Sequence, residues 1–250
     1  MSRLEGRVII VTGGAQGIGR AFVLGFAGEG AKVVIADING PAAESTAAEV
    51  GEAGGEAMVV VTDVSSQEST EAMAKAVLDK WGKIDGLMNN AAFFQRPQIT
   101  TAPIEELSVE EWDRVMAVNL RGVFLCCRAV IRHMKARKQG KIVNISSGTV
   151  FSGRSTTHYV ASKGGVIAFT RVLSREVGDW NINVNSIAPG STASDPEQPN
   201  ERYEGRVPFR TIKRVEQPED LVGAGVFLMS AESDFMSGQT MVVDGGAVMH

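Results

Sequence analysis

The chain has 250 residues, of which 44% are hydrophobic, and a formal net charge of -4. This charge gives no reason to expect nucleic-acid binding, and no apolar run is long enough to span a bilayer. Cys126 and Cys127 are adjacent in an apolar segment, which favours core packing over a disulfide. The histidines show no ligand spacing, so we expect no metal site. The start of the chain does not resemble a signal peptide, so we expect a soluble, cytoplasmic protein.

Apolar runs alternate with helical patterns from one end of the chain to the other. The predicted strands are 7–12, 32–37, 56–62, 84–88, 142–145, 181–188 and 239–243. The predicted helices are 20–28, 41–53, 67–81, 108–137, 157–178 and 218–229. Unbroken apolar strands are typical of a parallel sheet with both faces covered. The alternation therefore predicts one doubly wound α/β domain over residues 1–250, with about seven strands and helices on both faces.

A glycine-rich turn joins the first predicted strand to the first helix. Gly13, Gly17 and Gly19 permit a sharp turn and close approach to a diphosphate, to which a helix start offers free N–H groups. Asp37 ends the second strand, where a carboxylate can bind ribose hydroxyls and would repel a 2′-phosphate. The alternative is that Asp37 caps the following helix.

Four polar residues follow the run Ile142 to Ile145. Ser146 and Ser147 end this predicted strand, and Tyr159 and Lys163 are four residues apart on the next predicted helix. That spacing puts the phenol and the ammonium on one helix face, and an ammonium beside a phenol favours the phenolate. We therefore expect Tyr159 to exchange a proton near neutral pH, while a serine hydroxyl polarises the same substrate oxygen.

This arrangement resembles the active site of the short-chain dehydrogenase/reductase family. Five separated motifs occur in that family's order: Gly13-x-x-x-Gly17-x-Gly19, Asn89-Asn90-Ala91-Ala92, Asn119, the Ser/Tyr/Lys set and Pro189-Gly190. Ala92 replaces a glycine that is usual in the family. The resemblance covers essentially the whole chain and implies a Rossmann-type fold, a nicotinamide cofactor and a homotetramer in which the helices bearing Asn119 and Tyr159 pack between subunits.

The resemblance also implies site residues. The implied catalytic residues are Asn119, which holds a water in a proton relay, Ser147, Tyr159 and Lys163. For the serine, the usual interval from Tyr159 indicates Ser146, whereas the strand motif indicates Ser147 and a one-residue deletion in the loop. We favour Ser147 because strand register fixes which face a side chain occupies. The implied cofactor contacts are Gly13, Gln16, Gly17, Ile18, Gly19, Asp37, Asp63, Val64, Asn90, Ala91, Tyr159, Lys163, Pro189, Gly190, Thr192 and Ser194.

Asp63, Ser194 and Thr192 have alternative interpretations, and two other contacts bear on the choice between NAD and NADP. Asp63 and Val64 are implied to lie against the adenine, although Asp63 followed by Ser65 is also a helix-start signal. Ser194 stands where a threonine is common in the family, with Thr192 as its rival. NADP-using relatives often have a basic residue near Gln16, so Gln16 and Asp37 together favour NAD.

The substrate is expected to be a secondary alcohol with an aromatic or alicyclic group, or the corresponding ketone. Ser147, Phe94, Phe151 and Tyr159 are the expected contacts, with Arg96 or Arg154 at the rim. The polar segment 191–214 is expected to form a mobile lid. The alternatives are a carrier-protein-linked 3-oxoacyl reductase, for which NADPH preference is expected, and a non-catalytic dinucleotide-binding regulator. The regulator would be expected to have lost part of the Ser/Tyr/Lys set.

Overall fold

Seven parallel strands form one sheet in the computed structural model, which describes residues 2–94, 99–195 and 201–249. The strands are β1 (Val8–Thr12), β2 (Lys32–Asp37), β3 (Glu56–Val61), β4 (Gly86–Asn89), β5 (Gly140–Ile145), β6 (Ile182–Pro189) and β7 (Thr240–Val243). Their order across the sheet is β3-β2-β1-β4-β5-β6-β7, so the order reverses between β1 and β4. In a doubly wound sheet, ligands bind at such a reversal, outside the carboxyl ends of the strands.

Helices cover both faces of the sheet. They are α1 (Gly17–Gly28), α2 (Gly40–Glu52), α3 (Gln67–Trp81), α4 (Val109–Met116), α5 (Gly122–Arg137), α6 (Thr149–Ser152), α7 (Thr157–Val177), α8 (Glu201–Glu204) and α9 (Val222–Met229). Alternate residues of β1 point into two separate apolar clusters, one with α3, α5 and α7 and the other with α1, α2 and α9. The predicted doubly wound α/β fold is therefore confirmed.

The structure differs from the predicted elements at three helices. The predicted helix 218–229 begins as a 3₁₀ turn, Pro218–Leu221, before α9. The predicted helix 108–137 is interrupted by a π-helical turn, Ala117–Arg121, in which the Gly122 N–H donates to the Ala117 carbonyl five residues back. The first helix begins at Gly17, earlier than apolar periodicity indicates. Glycine has a low helix propensity, so the pattern placed the start too late.

The predicted lid at 191–214 also contains ordered structure. It includes α8 and the 3₁₀ turn Val207–Phe209, and the Arg210 side chain is buried. Residues 196–200 lie outside the described part of the chain, as does Arg96. The lid therefore stays a prediction, while the end of the segment is packed against the fold.

Other expectations concern cysteines, membranes, metals and subunits. Cys126 and Cys127 are buried free thiols, and burial raises the pKa of both. Within the described ranges, no helix has the length and apolar character needed to cross a bilayer, and no cluster of three or more potential ligands could hold a metal ion. Phe124 on α5 and Val172 on α7 are exposed, and packing of these helices between subunits stays a prediction.

Candidate active site

Glycines shape the turn between β1 and α1. Gly13 and Gly17 have φ values of +63° and +53°, which side chains rarely adopt. A Cβ on Gly19 would lie 1.8 Å from the Gly13 carbonyl oxygen, so only glycine fits there. The first turn of α1, which includes Ile18, has neither a side-chain cap from Gln16 nor an acidic residue. Its backbone N–H groups therefore suit an anion such as a diphosphate.

Asp37 joins the end of β2 to this turn. One carboxylate oxygen, Oδ2, accepts a hydrogen bond from the Ala15 N–H at 3.0 Å, and Oδ1 accepts one from the Asn39 N–H at 2.9 Å. The helix α2 is instead capped by Asn39, whose Oδ1 accepts from the Ala42 N–H. Each carboxylate oxygen has a second acceptor position, so Asp37 can also accept from ribose hydroxyls.

The end of β4 is tied to the same turn through Thr12 and Asn90. The Asn90 side-chain amide donates to the Thr12 and Gly13 carbonyls at 3.1 and 2.9 Å. The Thr12 hydroxyl accepts from the backbone N–H groups of Asn90 and Ala91. Our sequence interpretation missed Thr12, although a polar residue that ends an apolar strand is a usable signal.

Asp63 and Val64 lie beyond the end of β3. The Asp63 Oδ1 accepts from the Ser65 N–H and hydroxyl, which is the local bonding of a helix start. Val64 is buried, and a Cβ on Gly122 would lie 3.0 Å from it. Their contact with an adenine stays a prediction. The uncapped glycine turn and the adjacent Asp37 carboxylate together fit a dinucleotide.

Tyr159, Lys163 and Ser147 meet where β5 ends. Tyr159 and Lys163 are only 8% and 2% exposed, and the Lys163 Nζ lies 5.9 Å from the centre of the Tyr159 ring. This Nζ donates to the Ile145 carbonyl at 2.8 Å. The Ser147 hydroxyl lies within hydrogen-bonding reach of Tyr159 and lowers the pKa of its phenol. The Ser146 hydroxyl instead donates to the Lys163 carbonyl at 2.9 Å, so it joins β5 to α7.

The pKa values at this site differ from the sequence expectation. Burial raises the pKa of Tyr159 to about 12, against the smaller lowering by Ser147, and burial lowers the pKa of Lys163 to about 8. The expectation that the lysine makes the phenol acidic near neutral pH is wrong for the protein alone. The physical reason is that burial disfavours the charged form of both groups.

In the protein without cofactor, we expect Tyr159 to stay protonated below pH about 10, because its raised pKa favours the neutral phenol. The chain has two tyrosines, so a Tyr203→Phe variant leaves Tyr159 as the single source of tyrosinate absorbance. The absorbance of that variant is followed across an alkaline titration. A complete tyrosinate step near neutral pH would contradict the burial effect.

Asn119 lies in the π-helical turn and is fully buried. Its Oδ1 accepts from the Phe93 N–H at 2.6 Å, and its Nδ2 lies 3.3 Å from both the Phe93 carbonyl and the Ser162 hydroxyl. The amide thus links the loop after β4 to α7, one residue before Lys163. Its role in a proton relay stays a prediction.

Phe94 and Thr149 border the space next to Tyr159 and Ser147. The Phe94 and Tyr159 ring centres are 4.5 Å apart with an angle of 42° between the planes. Thr149 donates to the Ser147 hydroxyl oxygen from its own hydroxyl and its N–H, at 2.9 and 3.2 Å. These bonds use the acceptor positions of Ser147 and leave its single proton to donate. Thr149 was missed because no local pattern marks it. Phe151, a predicted substrate contact, is partly buried on α6.

The segment after β6 runs from the Pro189-Gly190 turn toward the glycine turn. The Thr192 hydroxyl donates to Glu216 at 2.9 Å. A Cβ on Gly17 would lie 2.5 Å from the Ser194 carbonyl oxygen. Of the two rival residues, Ser194 is therefore the one beside the glycine turn, while the Thr192 side chain is engaged elsewhere.

Comparison with known proteins gives consistent matches. A family model described as short chain dehydrogenase matches residues 7–204. The chain is 39% identical to the sorbitol dehydrogenase of Cereibacter sphaeroides, over 98% of each chain. It is 35% identical to the (2S)-[(R)-hydroxy(phenyl)methyl]succinyl-CoA dehydrogenase subunit BbsD of Thauera aromatica, over 97% of each chain. The solved structure of a 3-oxoacyl-[acyl-carrier protein] reductase with bound NAD from Brucella melitensis is 34% identical, with a TM-score of 0.90 over 100% of this chain and 94% of that chain.

Proposed function

Because the chain belongs to the short-chain dehydrogenase/reductase family of oxidoreductases, we propose that it is an NAD-dependent enzyme that interconverts a secondary alcohol and its ketone. One observation carries the proposal. The Tyr159 phenol lies beside the Ser147 hydroxyl and near the Lys163 ammonium. These groups lie at the carboxyl ends of the strands, where the glycine turn also lies. The complete Ser/Tyr/Lys set also argues against a regulator that has lost its chemistry.

Each residue has a distinct role in this proposal. Tyr159 takes the proton of the alcohol hydroxyl or returns one to the ketone. Ser147 donates a hydrogen bond to the reacting oxygen, and Thr149 orients that serine. Lys163 holds ribose hydroxyls. When bound, NAD supplies the hydride acceptor and a positive charge that favours the phenolate.

Asp37 is the basis for proposing NAD over NADP. Its carboxylate lies beside the glycine turn, where it accepts from ribose hydroxyls and repels a 2′-phosphate. The Brucella melitensis relative has NAD bound, which is consistent with this preference.

The proposed substrate has an aromatic or alicyclic group. Phe94 packs against Tyr159 and is 44% exposed, so it offers an aromatic surface beside the phenol. The name of the Thauera aromatica relative describes a secondary alcohol that bears a phenyl group. The Cereibacter sphaeroides relative acts on a polyol by its name, so sorbitol is the natural comparison substrate.

A screen of secondary alcohols tests the proposal directly. Aryl and alicyclic alcohols and sorbitol are each assayed with NAD and with NADP, by the absorbance of the reduced cofactor. We expect kcat/KM to be at least about tenfold higher with NAD, and higher for the aryl and alicyclic alcohols than for sorbitol.

An Asp37→Ser variant is the companion to this screen, with Asp63→Asn as a control carboxylate at the next strand end. We expect Asp37→Ser to narrow the ratio of NAD to NADP efficiency and Asp63→Asn to leave that ratio unchanged. Faster turnover with NADP in the unmodified chain would overturn the cofactor assignment, and turnover confined to sorbitol would overturn the substrate class.

A 3-oxoacyl thioester reductase is the second candidate. The similarity to the Brucella melitensis reductase favours it, and the exposed Arg154 lies over the Phe209 ring at 5.6 Å, where it offers a cation to an acidic carrier. An acetoacetyl thioester assayed with NADH and with NADPH alongside the screen distinguishes the two candidates.

A further inference from the structure

A buried ion pair lies behind the Pro189-Gly190 turn, outside the Ser/Tyr/Lys set. Arg210 and Glu216 are 3% and 5% exposed, and the Arg210 Nη2 lies 3.3 Å from the Glu216 Oε2. Removing both charges from water is costly unless further hydrogen bonds satisfy them. The partners that satisfy these charges therefore show what the pair holds in place.

Most of these partners belong to the segment that follows β6. The Glu216 Oε1 accepts from the Gly190 N–H at 3.2 Å and from the Thr192 hydroxyl at 2.9 Å. Its backbone carbonyl accepts from the Ala193 N–H. The Arg210 Nη2 also donates to the Ser191 carbonyl at 2.7 Å. Three consecutive residues, 190–192, are thus bonded to the charged groups of this ion pair, and Ala193 is bonded to the backbone of Glu216.

The turn leaves room for this carboxylate only because residue 190 is glycine. A Cβ on Gly190 would lie 2.4 Å from the Glu216 Oε2. The same turn reaches the catalytic side, since the Pro189 carbonyl accepts from the Gly148 N–H at 2.8 Å, next to Ser147. In the other direction, the segment leads to Ser194 beside the glycine turn. The pair therefore fixes the backbone that runs between the two halves of the site.

We propose that Glu216, held by Arg210, is a positioning residue that sets the backbone of residues 190–193 for binding of the nicotinamide half of NAD. This inference rests on the proposed function, because it assumes that NAD binds along the carboxyl ends of the strands. Glu216 acts through the backbone it holds and does not itself touch the reacting atoms.

The charge of Glu216 makes the arrangement sensitive to acid. Burial raises the pKa of Glu216 to about 6, against the lowering by the Thr192 hydrogen bond and the Arg210 charge. The other charged groups that face it are Asp244, after β7, and Arg214. Because the pKa is raised, Glu216 gains its proton as the pH falls through about 6, and the ion pair is then lost.

The main test is Glu216→Gln, which keeps the side-chain shape and removes the charge. NAD binding is measured by calorimetry and kinetics by steady-state assay. We expect the Kd and KM for NAD to rise about tenfold, as for the loss of a charged hydrogen bond, with a smaller change in kcat. We also expect the KM of the unmodified chain to rise below pH about 6, and the variant to lack that step.

Asp85→Asn is the matched control. Asp85 is also a buried carboxylate paired with an arginine, Arg137. It directly precedes β4, however, and so lies at the amino ends of the strands, away from the proposed cofactor site. We expect this control to lower the thermal midpoint without changing the Kd for NAD. Thr192→Val, which keeps the ion pair, is expected to weaken NAD binding in the same direction even if Glu216→Gln folds poorly.

The outcomes separate the two proposals. A folded Glu216→Gln protein with unchanged Kd for NAD overturns the positioning role and leaves the proposed function intact. An equal loss of NAD affinity in Asp85→Asn also overturns it, because the effect would then be general destabilisation. An unmodified chain that binds neither NAD nor NADP overturns the proposed function itself.

Discussion

Replacing Tyr159 by phenylalanine is expected to lower kcat by about 10²- to 10⁴-fold, the usual contribution of a positioned general acid or base. The substitution removes only the hydroxyl and keeps the ring that packs against Phe94 and lies above Lys163. NAD binding is therefore expected to be retained. Steady-state turnover with the best alcohol of the screen gives kcat, and calorimetry gives the Kd for NAD.

The control for this variant is its thermal midpoint, which shows whether the fold has been preserved. Near-normal turnover in a folded Tyr159→Phe protein would remove Tyr159 from the proposed chemistry. A large loss of NAD affinity together with kcat would show that the tyrosine mainly holds the cofactor.

Replacing Ser147 by alanine is expected to lower kcat by about 10²- to 10³-fold, comparable to the loss of one donor to a reacting oxygen. Ser146→Ala is the matched control, since it removes a hydroxyl from the adjacent residue. Its hydroxyl bonds the Lys163 carbonyl, so we expect a stability loss of about 0.5–1.5 kcal/mol with little change in kcat. Both variants are compared by kcat and by thermal midpoint. If Ser146→Ala has the larger effect on kcat, the catalytic role moves to Ser146.

The parts of the fold that follow from local patterns could be predicted from the sequence. Apolar, β-branched runs identify the buried strands, and the fold and the family resemblance are both confirmed. The spacing of Tyr159 and Lys163 is likewise local, because one helical turn separates them. The choice between Ser146 and Ser147 depends on whether the loop before Tyr159 is one residue shorter than is usual in the family. Spacing alone leaves that choice open, whereas the structure turns the two hydroxyls to different partners.

Features that depend on distant parts of the chain could not be predicted. The pKa of Tyr159 is governed by burial, which the spacing to Lys163 does not reveal. Arg210 and Glu216 lie in polar stretches that resemble exposed loops, yet they are buried together because the charges satisfy each other and the backbone of 190–193. Polar composition therefore does not distinguish an exposed loop from a segment that a buried ion pair holds against the fold.

The π-helical turn at Ala117–Arg121 has a consequence for engineering and for descent. The turn contains one residue more than the same stretch of regular α-helix would contain, and Asn119 lies within it. Because the turn absorbs this residue locally, deleting one residue here would restore a regular helix and leave Val130 and Met134 facing the interior, whereas a deletion within α5 ahead of them would rotate both by about 100°. A change of one residue in chain length is therefore tolerated at this turn more readily than within α5, and its expected cost is the local geometry that holds Asn119.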